Sequence, residues 1–276
     1  MAISTKQAQL TVQKLRHPVK ARLLQVRRKA QITPYLVRVT LTGDDLDGFV
    51  SPSFDDHVRL FLPPVPGEKP VMPTVSEQGL VYPEGQPRPV LRDYTPRRYD
   101  SEAGELDIDF VLHGHNGRAA SWASAAHEGH YVGIGGPRGS FVIPCDYAWH
   151  LLVGDETAMP AIGRRLAELP RGKRVLAIIE TEHPNARLNF ETRADVTLQW
   201  VQGVAGQADG MSPLERVIHR LQLPDGDGYV WAAGEHSSIR AIHQHLVNER
   251  GLDKSRIRAV SYWRHTAGEG HEVFGD

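Results

Sequence analysis

Apolar and polar positions alternate through the first half of the chain. In "ELDIDFVLHG" (105–114), Leu106, Ile108, Phe110 and Leu112 alternate with Asp107, Asp109 and Val111. That period of two is the signature of a strand with one buried face. "LLQVRRKAQI", "YLVRVTLTG" and "DHVRLFLP" carry Val, Leu, Ile and Thr in short runs, with arginines interspersed. "GHYVGIGGPRGSFVIP" reads as a glycine-broken strand pair. Five or six short strands with turns between them predict an antiparallel barrel or sandwich. One alanine-rich helix, "GRAASWASAAHEG", interrupts them, with Gly129 as its expected end. The proline-rich stretch 63–90 is expected to be a surface excursion between two strands.

From about residue 148 the rhythm changes. "HLLVGDETAMPAIGRRLAELP" reads strand, tight turn, helix. "RVLAIIET" and "VTLQWVQG" are strands, and "SPLERVIHRLQL" has helical spacing, with Ser212 as cap and Pro213 in the first turn. "GYVWAAGEHSSIRAIHQHLVNERG" is strand then helix, and "RIRAVSYW" a last strand. Strands alternating with helices predict βα units on a doubly wound parallel sheet. The expected organisation is an N-terminal extension at 1–19, a β-barrel domain at 20–147, an α/β domain at 148–265 and a tail at 266–276.

Composition narrows the class. A hydrophobic share of 40% and a charged share of 24% over 276 residues fit a globular chain of two domains. The net charge of −1 argues against a nucleic-acid binder. No apolar run is long enough to span a membrane. The single cysteine, Cys145, excludes an internal disulfide framework, so a cytoplasmic location is expected.

Four stretches could carry chemistry. In "LRDYTPRRYD" (91–100), Arg92 and Tyr94 are predicted to share one strand face and Thr95 and Arg97 the other, unless Pro96 bends the chain. They read either as solvated edge arginines or as an anion site with an aromatic platform. At "LLVGDETAMPAIG", Gly154 permits a tight turn, Thr157 can cap the next helix, and Pro160 fits its first turn. The helix start could hold an anion, although Asp155 and Glu156 oppose a phosphate unless they point away. At "VWAAGEHSSIRAI", Ala233 and Gly234 end a strand and let a flat ring or backbone come close. Gly117–Ser121 opens the alanine-rich helix, where free N–H groups could hold a pyrophosphate.

"RDYTPR", "DFVLHG", "GPRGSF", "GDETAMPAI" and "YWR" occur here in the order seen in the siderophore-interacting proteins, which the chain resembles from about residue 20 to 265. These are FAD-containing ferric-siderophore reductases of the ferredoxin–NADP reductase superfamily. The resemblance implies that 20–147 binds FAD and 148–265 binds NADPH or NADH. Arg92 and Arg97 would neutralise the FAD phosphates, and Tyr94 would lie along the flavin. Thr95 would position flavin N5 and is the one catalytic assignment. Asp109, Val111, Leu112, His113 and Gly114 would border the flavin, together with Ser140 of "GPRGSF". Ala119, Ala120 and Ser121 would bind pyrophosphate beside Trp122. Gly154, Asp155, Glu156 and Thr157, with Gly234 and Glu235, would receive the nicotinamide nucleotide. Arg59, Arg138 and Arg264 would attract an anionic ferric siderophore, with an Arg59 ion pair to Asp55 or Asp56 as the bland alternative.

The implied reaction is hydride transfer to FAD, then single electrons to Fe(III). Two alternatives stay open: a general flavoreductase with a protein partner such as ferredoxin, and a siderophore-binding module without turnover. Glu180 and Glu182 favour a free ribose hydroxyl, whereas Arg187 or Arg193 suits a 2′-phosphate. The 14 histidines match no ligand spacing with a mechanism, so no metal site is expected. The chain is expected to act as a monomer.

Overall fold

Strand β9 (Glu105–Val111) turns Leu106, Ile108 and Phe110 into one hydrophobic core and Glu105, Asp107 and Asp109 to its other face. All six are buried, because arginines from neighbouring strands cover the acids. The computed structural model describes residues 10–76, 79–112, 117–203, 210–265 and 272–274. Its contacts divide the chain into Thr11–Ile143 and a second unit of Met1–Leu10 with Pro144–Asp276.

In the first unit, β2 (Ala21–Thr33), β3 (Leu36–Thr42), β4 (Val58–Leu62), β7 (Val90–Tyr94), β8 (Pro96–Asp100), β9 and β10 (Tyr131–Gly135) form one antiparallel sheet. Its order is β7-β4-β10-β2-β3-β9-β8. The edge strands β7 and β8 are consecutive in the chain and separated by Thr95 alone. The sheet must therefore curl until β7 and β8 approach at Thr95; the two are not paired with each other, so it is a half-barrel with its corner there. Leu24, Leu41, Leu60 and Ile134 fill the interior without solvent exposure, each contributing about 2 kcal/mol through burial.

A short strand β1 (Gln13–Arg16) pairs with β11 (Gly139–Val142), so residues 11–19 belong to this unit and the division falls between Ile143 and Pro144. The excursion at 63–90 carries β5 (Thr74–Ser76) and β6 (Gly79–Val81), paired with each other. Helix α1 spans Arg118–Ala125. It stops at Ala126, whose backbone turns extended, and not at the expected Gly129.

In the second unit, β12 (Trp149–Gly154), β13 (Arg174–Thr181), β14 (Asp195–Gln202), β15 (Gly228–Glu235) and β16 (Ile257–Trp263) are parallel, in the order β14-β13-β12-β15-β16. From β12 the chain winds outward to β14, then returns to build β15 and β16 on the other side. The topological switch point thus lies between β12 and β15. The tail adds β17 (Glu272–Phe274), antiparallel to β16, so the sheet is mixed. The helices are α2 (Met159–Glu168), α3 (Pro213–Arg220) and α4 (His236–Gln244), the last continuing into a π turn over His245–Glu249. Ser212 caps α3 in a full capping box with Glu215. Leu214, Ile218, Ile239 and Ile242 of α3 and α4 pack with Leu151, Val153, Val230 and Ala232 of the sheet. Among the described residues, no helix is long and apolar enough to cross a membrane.

Candidate functional site

The three arginines of "LRDYTPRRYD" have three different fates. Arg98 is structural: it bridges Asp107 at 2.8 Å, Asp100 at 2.9 Å and Glu105 at 3.2 Å. Glu105 also receives both Arg28 guanidinium nitrogens at 2.6 Å, and these hydrogen bonds lead in holding its carboxyl down to about 2. Asp109 is gripped by Arg38 at 2.7 and 2.9 Å, with Arg97 3.9 Å away. The Asp109 carboxylate therefore anchors arginines across strands. Arg92 alone is exposed, and it donates to the carbonyl of Leu91, 2.7 Å away.

Register places Arg92 with Tyr94. Val58, Leu60 and Leu62 of β4 face the core and pair with Tyr94, Arg92 and Val90 of β7. Arg92 thus extends from the same face as Tyr94, at a point where protein does not cover it. Tyr94 packs on Phe110, ring centroids 4.5 Å apart, and Phe110 on Trp122 at 5.6 Å. This aromatic run joins β7, β9 and α1. Burial raises the Tyr94 hydroxyl well above its usual range, so the ring stays neutral. Thr95 is buried at the barrel corner. Among the described residues, no side-chain hydrogen bond to its hydroxyl is present.

Helix α1 begins at Gly117 with no side-chain cap and no acid in its first turn. Its free N–H groups and positive dipole end attract anions. Ala119 and Trp122 are buried, Ala120 is partly buried and Ser121 is exposed. An exposed guanidinium, a neutral aromatic ring, a hydroxyl and an uncapped helix start make a donor set that fits an anionic nucleotide bearing a flat ring. His113 and Gly114 lie outside the described residues. Val111 is buried, and the Leu112 N–H donates to the Tyr35 carbonyl. Ser140 is occupied by His17, 2.8 Å away.

Arg59 forms a two-pronged pair with Asp93 at 2.9 and 2.8 Å, a partner different from the expected Asp55 or Asp56. Alternation puts both on the opposite side of β4 and β7 from Tyr94. Gly135 is the register partner of Arg59, so the Gly136–Arg138 turn adjoins the same strand end. Arg138 is exposed there. Arg264, in the second unit, pairs with Glu272 of β17.

At the switch point of the second unit, Asp155 ties three strand ends together. Its Oδ1 accepts from the Thr157 N–H at 2.8 Å and the Thr157 hydroxyl at 2.5 Å. Its Oδ2 accepts from the Glu235 N–H at 2.9 Å and the Trp263 indole at 2.8 Å. Asp155 therefore caps the 3-10 turn Glu156–Ala158, and α2 itself starts from Ala158 with no side-chain cap, from the expected Thr157 or any other residue. Glu156 is buried and accepts from the Glu182 N–H at 2.8 Å. Glu235 caps α4, taking the Ser237 and Ser238 N–H groups at 2.7 and 3.0 Å. These carboxylates turn inward, and Glu235 fills the start of α4, whereas the start of α2 carries no side-chain cap.

The two glycines here answer to close approach. A Cβ on Gly154 would lie 2.4 Å from the Ala158 Cβ and 2.5 Å from the Ala233 carbonyl oxygen. Gly234 has φ +151°, and a Cβ there would meet Asp155 Oδ2 at 2.5 Å. Nearby Glu180 is pushed up to about 7, first by burial and next by Asp155. Sequence pattern assigned Trp263 no role, and placed Asp155 at the nicotinamide nucleotide without its tie to Trp263. A polar contact between residues 108 apart leaves no periodic trace.

The chain has clear relatives. The siderophore-interacting FAD-binding domain matches residues 25–141, and the siderophore-interacting protein family matches residues 147–266. An NADPH-dependent ferric-chelate reductase of Escherichia coli is 37% identical over 254 residues, covering 91% of this chain and 96% of that protein. A ferric vibriobactin reductase of Vibrio cholerae is 32% identical, covering 88% and 89%. The crystal structure of a siderophore utilization protein from T. fusca superposes with a TM-score of 0.83 at 34% identity, covering 94% of this chain and 98% of that one.

Proposed function

Because this chain belongs to the siderophore-interacting protein family, we propose that it is an FAD enzyme that uses NADPH to reduce ferric siderophores. The observation that carries this reading is Arg92, exposed beside Tyr94 and joined through Phe110 and Trp122 to the uncapped start of α1. Bound FAD supplies the redox chemistry, taking a hydride and returning its electrons one at a time to Fe(III). The chain's own residues bind and orient. Arg92 and the α1 N–H groups neutralise the diphosphate, with Arg97 set by Asp109 on the adjoining strand. Tyr94 offers an apolar face to the ring, and Thr95 a hydroxyl at the barrel corner.

The substrate is the ferric chelate. Its hard oxygen donors hold Fe(III) far more tightly than Fe(II), so reduction releases the metal. Arg138 is the best-placed cation for attracting it in the first unit, since Arg59 is paired to Asp93. Arg187 and Arg193, exposed beyond β13, suit a 2′-phosphate, in keeping with the NADPH dependence named for the Escherichia coli relative. The chelate, rather than a ferredoxin, takes the electrons, and the chain works as a cytoplasmic monomer.

The test is an absorption spectrum of the purified protein, then steady-state Fe(II) release from a ferric chelate with NADPH and with NADH. A flavin spectrum bleached faster by NADPH, with matching Fe(II) release, is expected. A protein that retains no flavin after incubation with FAD, or a bleached flavin that leaves the chelate oxidised, overturns the reading.

A further inference from the structure

Helices α3 and α4 lie side by side, and their two ends differ in chemistry. Their N-termini are joined by the Ser212 and Ser238 hydroxyls, 2.6 Å apart. Their C-terminal ends are joined by Arg250, which donates to the Leu221 carbonyl at 3.1 Å. At this second end His219, in the last turn of α3, stacks on His245, the first residue of the π turn, with centroids 3.7 Å apart. Glu249, the last residue of that turn, lies 2.9 Å from His245 Nδ1. One ligand atom from each of His219, His245 and Glu249 lies within 4.8 Å of the others.

We propose that His219, His245 and Glu249 bind a divalent first-row transition-metal ion, with its remaining coordination positions open to solvent. Two imidazoles and a carboxylate form the nitrogen-rich donor set that suits zinc, ferrous iron, cobalt and nickel. Three further features favour a cation here. Two helix C-termini converge, and each carries a partial negative charge. His245 is only 6% exposed, yet its Nδ1 faces the mostly exposed carboxylate of Glu249, 2.9 Å away, so a nitrogen donor and an oxygen donor are already held side by side at the helix ends. The helix widens into a π turn at the two ligand residues, and such turns are rare and concentrate at functional sites.

Binding breaks the histidine stack, because rings only 25° from parallel direct their in-plane lone pairs side by side. Metal–ligand bonds of about 2.0–2.1 Å place neighbouring ligands of a tetrahedral ion about 3.3 Å apart. The 2.9 Å His245–Glu249 pair therefore opens slightly, and His219 closes by a side-chain rotation. Glu249 is mostly exposed, so the ion enters from solvent past it. Of the flanking cations, Arg220 is exposed and Arg250 is turned onto the α3 carbonyl. His243 is not a ligand, because its ring faces Phe274 on the other side. The sequence hides this site, since its ligands are 26 and 4 residues apart on two elements.

The inference is independent of the flavin reading, and its test is spectroscopic. Chelator-treated protein with its flavin in place is titrated with Co(II), and the ligand-field absorption is followed as a difference spectrum and then competed with Zn(II). One saturable Co(II) per chain is expected, displaced by Zn(II). The double variant His219→Ala, Glu249→Gln, at surface-accessible positions, should weaken binding by at least about tenfold, with an unchanged melting temperature in the metal-free state. His219→Cys should keep the ion and shift the absorption by adding a thiolate band. Absence of saturable Co(II) absorption in the wild type overturns the proposal. So does equal affinity in a double variant whose metal-free melting temperature is unchanged.

Discussion

Replacing Asp155 with Asn is the sharpest test of how the second unit is held together, because the two side chains have the same shape. The carboxylate accepts four hydrogen bonds, from the Thr157 N–H and hydroxyl, the Glu235 N–H and the Trp263 indole. An amide offers one oxygen. If it keeps the two Thr157 bonds, its NH2 confronts two donors, the Glu235 N–H and the Trp263 indole. Bonds to a charged acceptor contribute about 1.5 kcal/mol each at the lower end of their range, so the loss is about 3 kcal/mol. One effect opposes it: Asp155 repels Glu180, and removing that charge offsets part of the loss. The net cost is about 2 kcal/mol, or a melting temperature lowered by about 4–8 °C for a unit of this size. Calorimetry of metal-free, flavin-loaded protein measures it, and infrared titration of Glu180 should show its carboxyl moving down from about 7. A melting temperature within about 1 °C of wild type would refute the reasoning, since it would mean the four bonds do not hold the strand ends.

Three further outcomes follow from the same geometry. Arg92→Ala should weaken FAD by about 1.5–3 kcal/mol, roughly 10- to 150-fold, read as flavin released on dilution; full retention would remove Arg92 from the phosphate site. Glu180 is raised in the folded state, so it binds a proton there that the unfolded chain has already lost. Its contribution to stability is complete below the ordinary carboxyl value near 4.5 and falls as pH rises through about 7; Glu180→Gln should flatten that part of the stability–pH curve, and an unchanged curve would assign it elsewhere. Arg138→Glu should raise the half-saturating concentration of a triply anionic ferric chelate far more than that of a neutral one. The difference should shrink at high salt, because screening acts over about 8 Å at physiological ionic strength; equal effects on both chelates would exclude Arg138 from substrate attraction.

Local pattern was enough to read the architecture. Alternation along "ELDIDFVLHG" and the strand–helix rhythm after residue 148 are properties of neighbours in the chain, and a period of two or of 3.6 survives in any one stretch. The Ser212 cap and its Pro213 were legible for the same reason, since capping is settled within four residues. The pairing of Arg92 with Tyr94 also follows from alternation, as their shared face shows.

What only the tertiary structure decided are the partners of charged and polar groups. Nothing local marks Arg98 as the arginine spent on Glu105 and Asp107, Arg59 as the partner of Asp93, or Asp155 as the acceptor for Trp263. The reason is physical. Burying an apolar face needs only a period, because hydrophobic contact has no direction. A buried charge needs a particular donor at about 2.8 Å, and which strand supplies that donor is set by sheet order and register. The sequence by itself determined two sheets and the residues that could do chemistry. The fold decided which of those residues were already taken: Arg98, Asp109 and Asp155 hold the structure together, and Arg92 is left exposed beside Tyr94.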